Sequence, residues 1–232
     1  MTKQANRFEV AQVVAVAVAV CLVAVLVACQ TTRQTRGVQA QGFLRNYSQL
    51  REGKGDEAQL IYISPSADWR AYDSIMIDSV SIWYTDSTKK LSAKDRKTLT
   101  DLLYAKLYYQ LGHDYDIVDN PGPRTLRLRA ALTEAKGARV VGNTLTTIIP
   151  QARLLSTLAG LATDTQVFVG KAAIEASITD SMTGKRLLAA VDERAGAKTL
   201  RGLGGKWKDV DNVFDYWAEK IRKRLAELRA EG

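Results

Sequence analysis

The chain has 232 residues with two cysteines, one histidine and a formal net charge of +8. One histidine excludes a three-histidine metal centre, and two cysteines exclude a fold stapled by several disulfides. The basic excess does not form a stripe for nucleic acid, because Lys89-Lys90, Arg127 with Arg129, and Arg222-Lys223-Arg224 fall in different predicted elements.

The N-terminal region carries the strongest signal. Lys3 and Arg7 precede residues 13–28, a run containing only Val, Ala, Leu and Cys, and the tetrad Leu26-Val27-Ala28-Cys29 closes it. A cationic start, an apolar core and small residues make up the layout of a secretory signal. The apolar run is slightly short for a membrane span, which needs about 20 residues. The tetrad resembles a bacterial lipobox. In that chemistry the Cys29 thiol takes a diacylglyceryl group, a signal peptidase cuts between Ala28 and Cys29, and the new amine is acylated with a chain such as palmitate. The other reading is an uncleaved helix in which Cys29 is incidental. Both leave Lys3 and Arg7 inside and the remaining chain outside the cytoplasm. Gln30 follows the cysteine; by analogy with the sorting rule of enteric bacteria it implies the outer membrane, whereas Asp would favour the inner one.

Residues 29–42 are then expected to form a lipidated N-terminus and flexible tether, being rich in Gln, Thr, Arg and small residues. Residues 43–232 are expected to form one α+β domain, and ~190 residues suffice for one core. Leu60, Ile61, Tyr62 and Ile63 suggest a short extended piece. Residues 75–84 read as a strand whose alternation slips near Asp78-Ser79, which suggests a bulge there or a strand buried on both faces. Ser92 with Asp95 resembles a capping box, and Leu99, Leu102, Leu103, Leu107 and Leu111 form the stripe of a helix closed by Gly112. A short strand at 115–118 leads to the turn Asn120-Pro121-Gly122-Pro123. Leu126, Leu128, Ala130 and Leu132 then alternate with polar residues.

Within 137–165, Leu154, Leu155, Leu158 and Leu161 form a short helical stripe, read as core packing, with contact to lipid or lipopolysaccharide as the alternative. Phe168, Ala172, Ile174, Ala176 and Ile178 share a phase; Thr183-Gly184 makes a turn; Leu187, Ala189 and Val191 resume the alternation. Gly-rich 202–205 introduces a last helix with the stripe Val210, Val213, Phe214, Trp217, Ile221, Leu225 and Leu228. Trp217 is expected to be buried and Lys220 to lie on the opposite face. The predicted fold is a mixed, largely antiparallel sheet of about five or six strands with two main helices packed on it.

Several residues of this chain resemble an uncharacterised lipoprotein family of proteobacteria, known only as a domain of unknown function. They are residues 42–50 (Gly-Phe-Leu-Arg-Asn-Tyr-Ser-Gln-Leu), Tyr62, Pro65, Trp69, Tyr72, Trp83, Glu175, Asp180 with Thr183-Gly184, Val191-Asp192, Arg194, Gly196 and Trp217-Ala218. Asn46 departs from the resemblance, standing where an acidic residue is expected. The resemblance implies a periplasm-facing lipoprotein and supplies no activity.

Catalytic signals are poor. His113 follows a helix end, where histidine commonly caps carbonyls or faces water. Residues 202–206 (Gly-Leu-Gly-Gly-Lys) have a phosphate-loop look, but Trp207 stands where Ser or Thr would bind magnesium. Asp180, Asp192 and Glu193 are candidates for a carboxylate pair across the hairpin, against the simpler reading of turn and edge solvation. No catalytic, cofactor-binding or metal residue is assigned. The expected function is a non-enzymatic cell-envelope lipoprotein, a periplasmic binding or structural component held by the membrane through its lipid, with an envelope protein as a possible kind of partner and no nucleic acid. The alternatives are an envelope-polymer hydrolase and a lipid- or lipopolysaccharide-contacting protein using residues 154–161.

Overall fold

A computed structural model describes residues 32–35, 37–83, 85–136, 170–196 and 207–231. Residues 1–28, Cys29, the stripe at 154–161, Phe168 and residues 202–206 lie outside the described residues.

Three long strands build the centre of the sheet: β7 (Thr125–Lys136), β8 (Lys171–Asp180) and β9 (Arg186–Gly196), paired antiparallel in that order. Shorter strands extend it on both sides. Beyond β9 lie β3 (Leu60–Ile63) and β2 (Arg51–Glu52), and β1 (Thr32–Gln34) pairs with the last residues of β9. Beyond β7 lie β4 (Ser74–Ile77), then β6 (Asp116–Ile117), while β5 (Ser81–Ile82) continues alongside β7. The pairings of β4 with β6 and β7, and of β5 with β7, are parallel. The fold is therefore α+β with a mixed sheet, as the residue pattern predicts.

The strand count is different. Among the described residues the sheet has nine strands, not five or six. The additional strands are two to four residues long, too short to carry a period, and they form because the long central strands offer them backbone partners. At 75–84 the slip in alternation corresponds to an extra residue on one strand. Ile77 pairs with Leu128 and Ser81 with Ala131, so four steps on one strand match three on the other. The extra residue is a bulge, and it turns Asp78 to meet Arg127 in a bidentate pair at 2.8–3.1 Å.

The expected tether also reads differently in part. Residues 32–34 are a strand, and Thr35 continues the pairing with an N–H bond to Glu193 O at 3.0 Å. Thr32, Arg33 and Gln34 carry no apolar alternation, so nothing in their pattern distinguishes them from a linker; backbone pairing to β9 orders them.

Helices α1 (Ala93–Leu111) and α2 (Lys208–Glu231) cover one face of the sheet. Ser92 caps α1, accepting from Asp95 N, and Leu99, Leu103, Leu107 and Leu111 are fully buried, with Leu102 at the margin. In α2 the stripe from Val210 to Leu228 is buried, with Ile221 only partly so. These side chains meet Leu126, Leu128, Leu132, Ile174 and Ile178 of the sheet. A smaller cluster lies apart from this core, where Ala189 and Val191 pack with Leu44, Phe43, Tyr47, Leu50 and Tyr62. The hairpin bulge at Ile178/Thr179 lets Leu187 join the main core while Ala189 and Val191 belong to the smaller cluster.

Leu103 loses all solvent on folding, so Leu103→Ala should cost about 2–5 kcal/mol through lost transfer energy and a residual cavity. Lys97→Ala removes only an exposed pair with Asp101 and should change stability by less than about 0.5 kcal/mol. Urea midpoints of the two variants check this; similar midpoints would refute the assigned packing of α1.

Candidate functional site

Among the described residues, the ends of β9 and β1 bring together three buried polar side chains, Thr32, Asp192 and Arg194. Successive side chains of β9 point to opposite faces, so Asp192 and Arg194 share the helix-covered face while Glu193 faces away. All three grip the segment 32–35. Arg194 donates from Nε to Thr32 Oγ1 at 3.0 Å and from Nη2 to Thr32 O at 3.3 Å, and its guanidinium lies 3.7 Å over the Tyr216 ring of α2. Gln34 Nε2 donates to Asp192 Oδ1 at 2.7 Å, and Trp217 Nε1 donates to Asp192 Oδ2 at 2.8 Å. Thr35 Oγ1 donates to Glu193 Oε1 at 2.6 Å. The start of the described chain is thus clamped between β9 and α2.

Gly196 completes the clamp. A Cβ there would stand 2.6 Å from Asp209 Cβ, so only glycine lets the first turn of α2 approach the end of β9. Asp209 uses that approach to accept from Gly170 N at 3.2 Å.

A cleft of about 70 Å³ lies beside the clamp, between α2 and the sheet. Leu128, Ile174, Ile178, Leu188 and Trp217 line it with apolar surface, and Asp192 contributes its one buried carboxyl. Burial pushes that carboxyl above the usual carboxylate range, against the opposing pull of Gln34 and Trp217. Both oxygens accept hydrogen bonds, so the carboxyl serves as an anchor for three elements. Lys220, paired with the exposed Asp56, also borders the cleft. Lys220 is therefore not on the face opposite Trp217: three positions along the helix it lies about 60° around the axis from the indole, and its side chain borders the same cleft.

A second buried carboxyl sits on the opposite face. Glu175 is fully buried and accepts from Gln41 N at 2.5 Å, Leu44 N at 3.1 Å and Tyr47 Oη at 2.5 Å. Burial, then the bond to Glu175, pushes the Tyr47 phenol up to about 12. The loop turns through Gly42 at φ +103° and Arg45 at φ +61°, and Arg186 holds the carbonyls of Leu44 and Asn46 at 2.8 and 2.7 Å. Asn46 itself accepts from Ser48 N at 2.9 Å, a turn bond that an aspartate could make equally.

The carboxylate pair considered from sequence does not assemble. Asp180 lies at the far end of β8, where it accepts from Thr183 N at 2.7 Å, Met182 N at 3.1 Å and Tyr72 Oη at 3.0 Å. Those bonds, led by Thr183 N–H, hold its carboxyl below the usual range. Asp192 pairs across β8 with Ile174, six residues from Asp180, and Glu193 points away from both. His113 Nδ1 donates to Tyr109 O at 2.8 Å, capping a carbonyl of the last turn of α1. Among the described residues, no group of His, Cys, Asp and Glu is placed to hold a metal ion, and no helix is long and apolar enough to cross a membrane. Sequence reasoning missed the pairing of Gln34 with Asp192, of Arg194 with Thr32 and of Glu175 with Tyr47, although a carboxylate between Ile174 and Ala176 is a visible signal.

Trp217 is 4% exposed and donates to a buried carboxyl, so Trp217→Ala should cost about 3–5 kcal/mol of a total near 5–15 kcal/mol. Lys223→Ala, which loses only an exposed pair with Glu219, should stay within about 0.5 kcal/mol. Paired denaturant melts decide, and equal midpoints would mean that α2 is not docked as described.

Glu57 gives a pH prediction. Bonds led by the Arg51 guanidinium at 2.8 and 3.0 Å hold its carboxyl down at about 2, against an ordinary 4.5. A depressed folded-state pKa means that the stabilisation is present above about 4.5 and is lost as pH falls towards 2. Glu57→Gln should therefore melt below the wild type at pH 6, and the gap should close on acidification through that window. A gap unchanged by acid would refute the assignment.

The PelC dodecamer from Paraburkholderia phytofirmans is similar at 14% identity, over 71% of this chain and 94% of that one, with a TM-score of 0.38. A protein provisionally described as a lipoprotein, from Caulobacter crescentus CB15, is similar at 14% identity over 67% and 90%, with a TM-score of 0.36. A DUF4136 family protein from Bacteroides thetaiotaomicron VPI-5482 is similar at 10% identity over 71% and 95%, with a TM-score of 0.35. Likeness at this level carries no functional argument. No curated protein matches the sequence. The family described as "Protein of unknown function (DUF3313)" matches residues 39–221, a span that contains Gly42, Tyr47, Glu175, Asp192, Arg194 and Trp217, and the chain belongs to that family.

Proposed function

We propose that this protein is a non-enzymatic cell-envelope lipoprotein, exported by residues 1–28, lipidated at Cys29 and acting as a membrane-tethered periplasmic binding or structural component. The observation that carries the reading is the junction between anchor and body. The tetrad Leu26-Val27-Ala28-Cys29 ends an apolar run, and the clamp takes hold at Thr32, three positions later. A lipid on Cys29 would thereby hold the body itself and not a loose tail. The engagement of Asp180, Asp192, Glu193 and Glu175 in structural hydrogen bonds supports a binding or structural role over hydrolysis. Gln30 favours the outer membrane.

One observation favours a second reading, contact with lipid or lipopolysaccharide through residues 154–161. The segment that contains them joins Lys136 to Lys171, and these residues pair with each other on the rim of the sheet where Thr32 pairs with Gly196.

Intact-mass analysis of the membrane fraction should show a chain that begins at Cys29 and carries acyl mass. Cys29→Ala should accumulate as uncut precursor, since no other thiol lies at the cut. An unmodified Cys29 in an intact 232-residue chain would refute the lipoprotein reading. In sucrose-gradient fractions the wild type should travel with outer-membrane markers, and Gln30→Asp should shift it inward; a wild type found with inner-membrane markers would refute the sorting reading alone.

A further inference from the structure

We propose that the rim formed by Thr32, Gly196, Lys171 and Lys136 faces the bilayer that holds the Cys29 lipid, so that the sheet stands on this end with the β8–β9 turn pointing away. The proposal rests on the lipoprotein reading and adds an orientation to it.

The argument begins with reach. Only Gln30 and Thr31 separate Cys29 from Thr32. Three Cα–Cα steps span at most about 11 Å even when fully extended. A thioether-linked lipid sets Cys29 at the headgroup level, a zone of roughly 5–7 Å per leaflet. Thr32 is thus confined within about 11 Å of that zone, and it cannot swing free because Arg194 holds both its hydroxyl and its carbonyl.

The clamp then transmits this confinement to the whole body. β1 runs antiparallel to β9, with Thr32 opposite Gly196 and Gln34 opposite Arg194, so the chain crosses the rim at Thr32 and runs inward. Ala195 lies opposite Lys171, and Lys171 opposite Lys136, which puts the ends of β9, β8 and β7 on the same rim. Three inter-strand spacings take the rim about 14 Å from β1 to β7. In the other direction, the ten residues of β8 carry the turn at 181–185 about 30 Å away. Turning that end to the membrane would lift Thr32 well beyond its 11 Å reach. Laying the body on its helices would press ion pairs such as Lys223–Glu219 and Lys97–Asp101 into the interface, where water serves them better.

Charge does not drive the contact. Lys136 and Lys171 both pair with Glu134, and Lys171 also with Glu193. The orientation should therefore form on neutral lipid.

The full chain, processed and lipidated in a bacterial envelope, would be reconstituted into phosphatidylcholine vesicles with nitroxide-labelled headgroups. After processing, Cys29 is a thioether and Cys21 is removed with the signal, so an introduced cysteine is the sole thiol. A fluorophore on Lys136→Cys should be quenched several-fold more than one on Met182→Cys, an exposed position in the distal turn. Inserting ~12 Gly/Ser residues between Thr31 and Thr32 adds roughly 20 Å of root-mean-square reach and should reduce both to one low value. Equal quenching at the two positions without the insertion would overturn the orientation, as would quenching at 136 that survives it. Protein that fails to float with the vesicles would overturn the lipoprotein reading, and the orientation with it.

Discussion

Strand β8 is covered on both faces along most of its length, and the rest of the structure answers to that constraint. Residues 172–178 are all buried, so the strand needs apolar cover on two sides as well as two backbone neighbours. Helices α1 and α2 supply one cover through Ile174 and Ile178. The loop at 37–50 supplies the other, and it is held there by the carboxyl of Glu175, which projects from β8 into a place water does not reach. A buried carboxyl without partners costs several kcal/mol. Two backbone N–H groups and the Tyr47 hydroxyl satisfy Glu175, and in doing so they fix the path of the loop.

Asp192 plays the corresponding part on the helix side. Its two oxygens draw together β1 through Gln34, the β2–β3 connection through Gln59 N at 3.3 Å, and α2 through Trp217. One side chain thus joins elements that stand more than 150 positions apart in sequence, and the low dielectric around it strengthens each bond. Both carboxyls lie among the residues by which the chain resembles its family, as do Gly42, Leu44, Tyr47, Arg194, Gly196 and Trp217. The physical roles of these residues are architectural: a turn, a carboxyl and its donors, a cation stacked on an aromatic ring, and a glycine that admits a helix.

An architectural motif that ends at the N-terminal strand has a mechanical consequence. A domain tied by a long linker samples every orientation, whereas on the proposed lipidation at Cys29 this domain would be gripped three positions from its attachment point and its range of orientations narrowed. The packing of β1 between β9 and α2 makes local fraying there costly, since Arg194 would lose Thr32 and its place over Tyr216 together.

The sequence by itself determined the elements whose side chains repeat. The leucines of α1, the apolar stripe of α2, the phase of residues 172–178 and the turn at Thr183-Gly184 could be read directly, because burial of a long element imposes a period on it. The bulge near Asp78 was legible for the same reason, as a break in that period. Only the tertiary structure decided the rest. Strands of two to four residues, such as Thr32–Gln34 and Asp116–Ile117, have no period and exist through the backbone partners they meet. The parallel pairing of β4 with β7 depends on the route of the intervening chain. The scattering of Asp180, Asp192 and Glu193 follows from strand alternation and register, and the meeting of Glu175 with Tyr47, or of Asp192 with Gln34 and Trp217, joins residues far apart in the chain. Hydrogen bonds between side chains are set by distance in space, and a linear pattern records only which residues have something to bond.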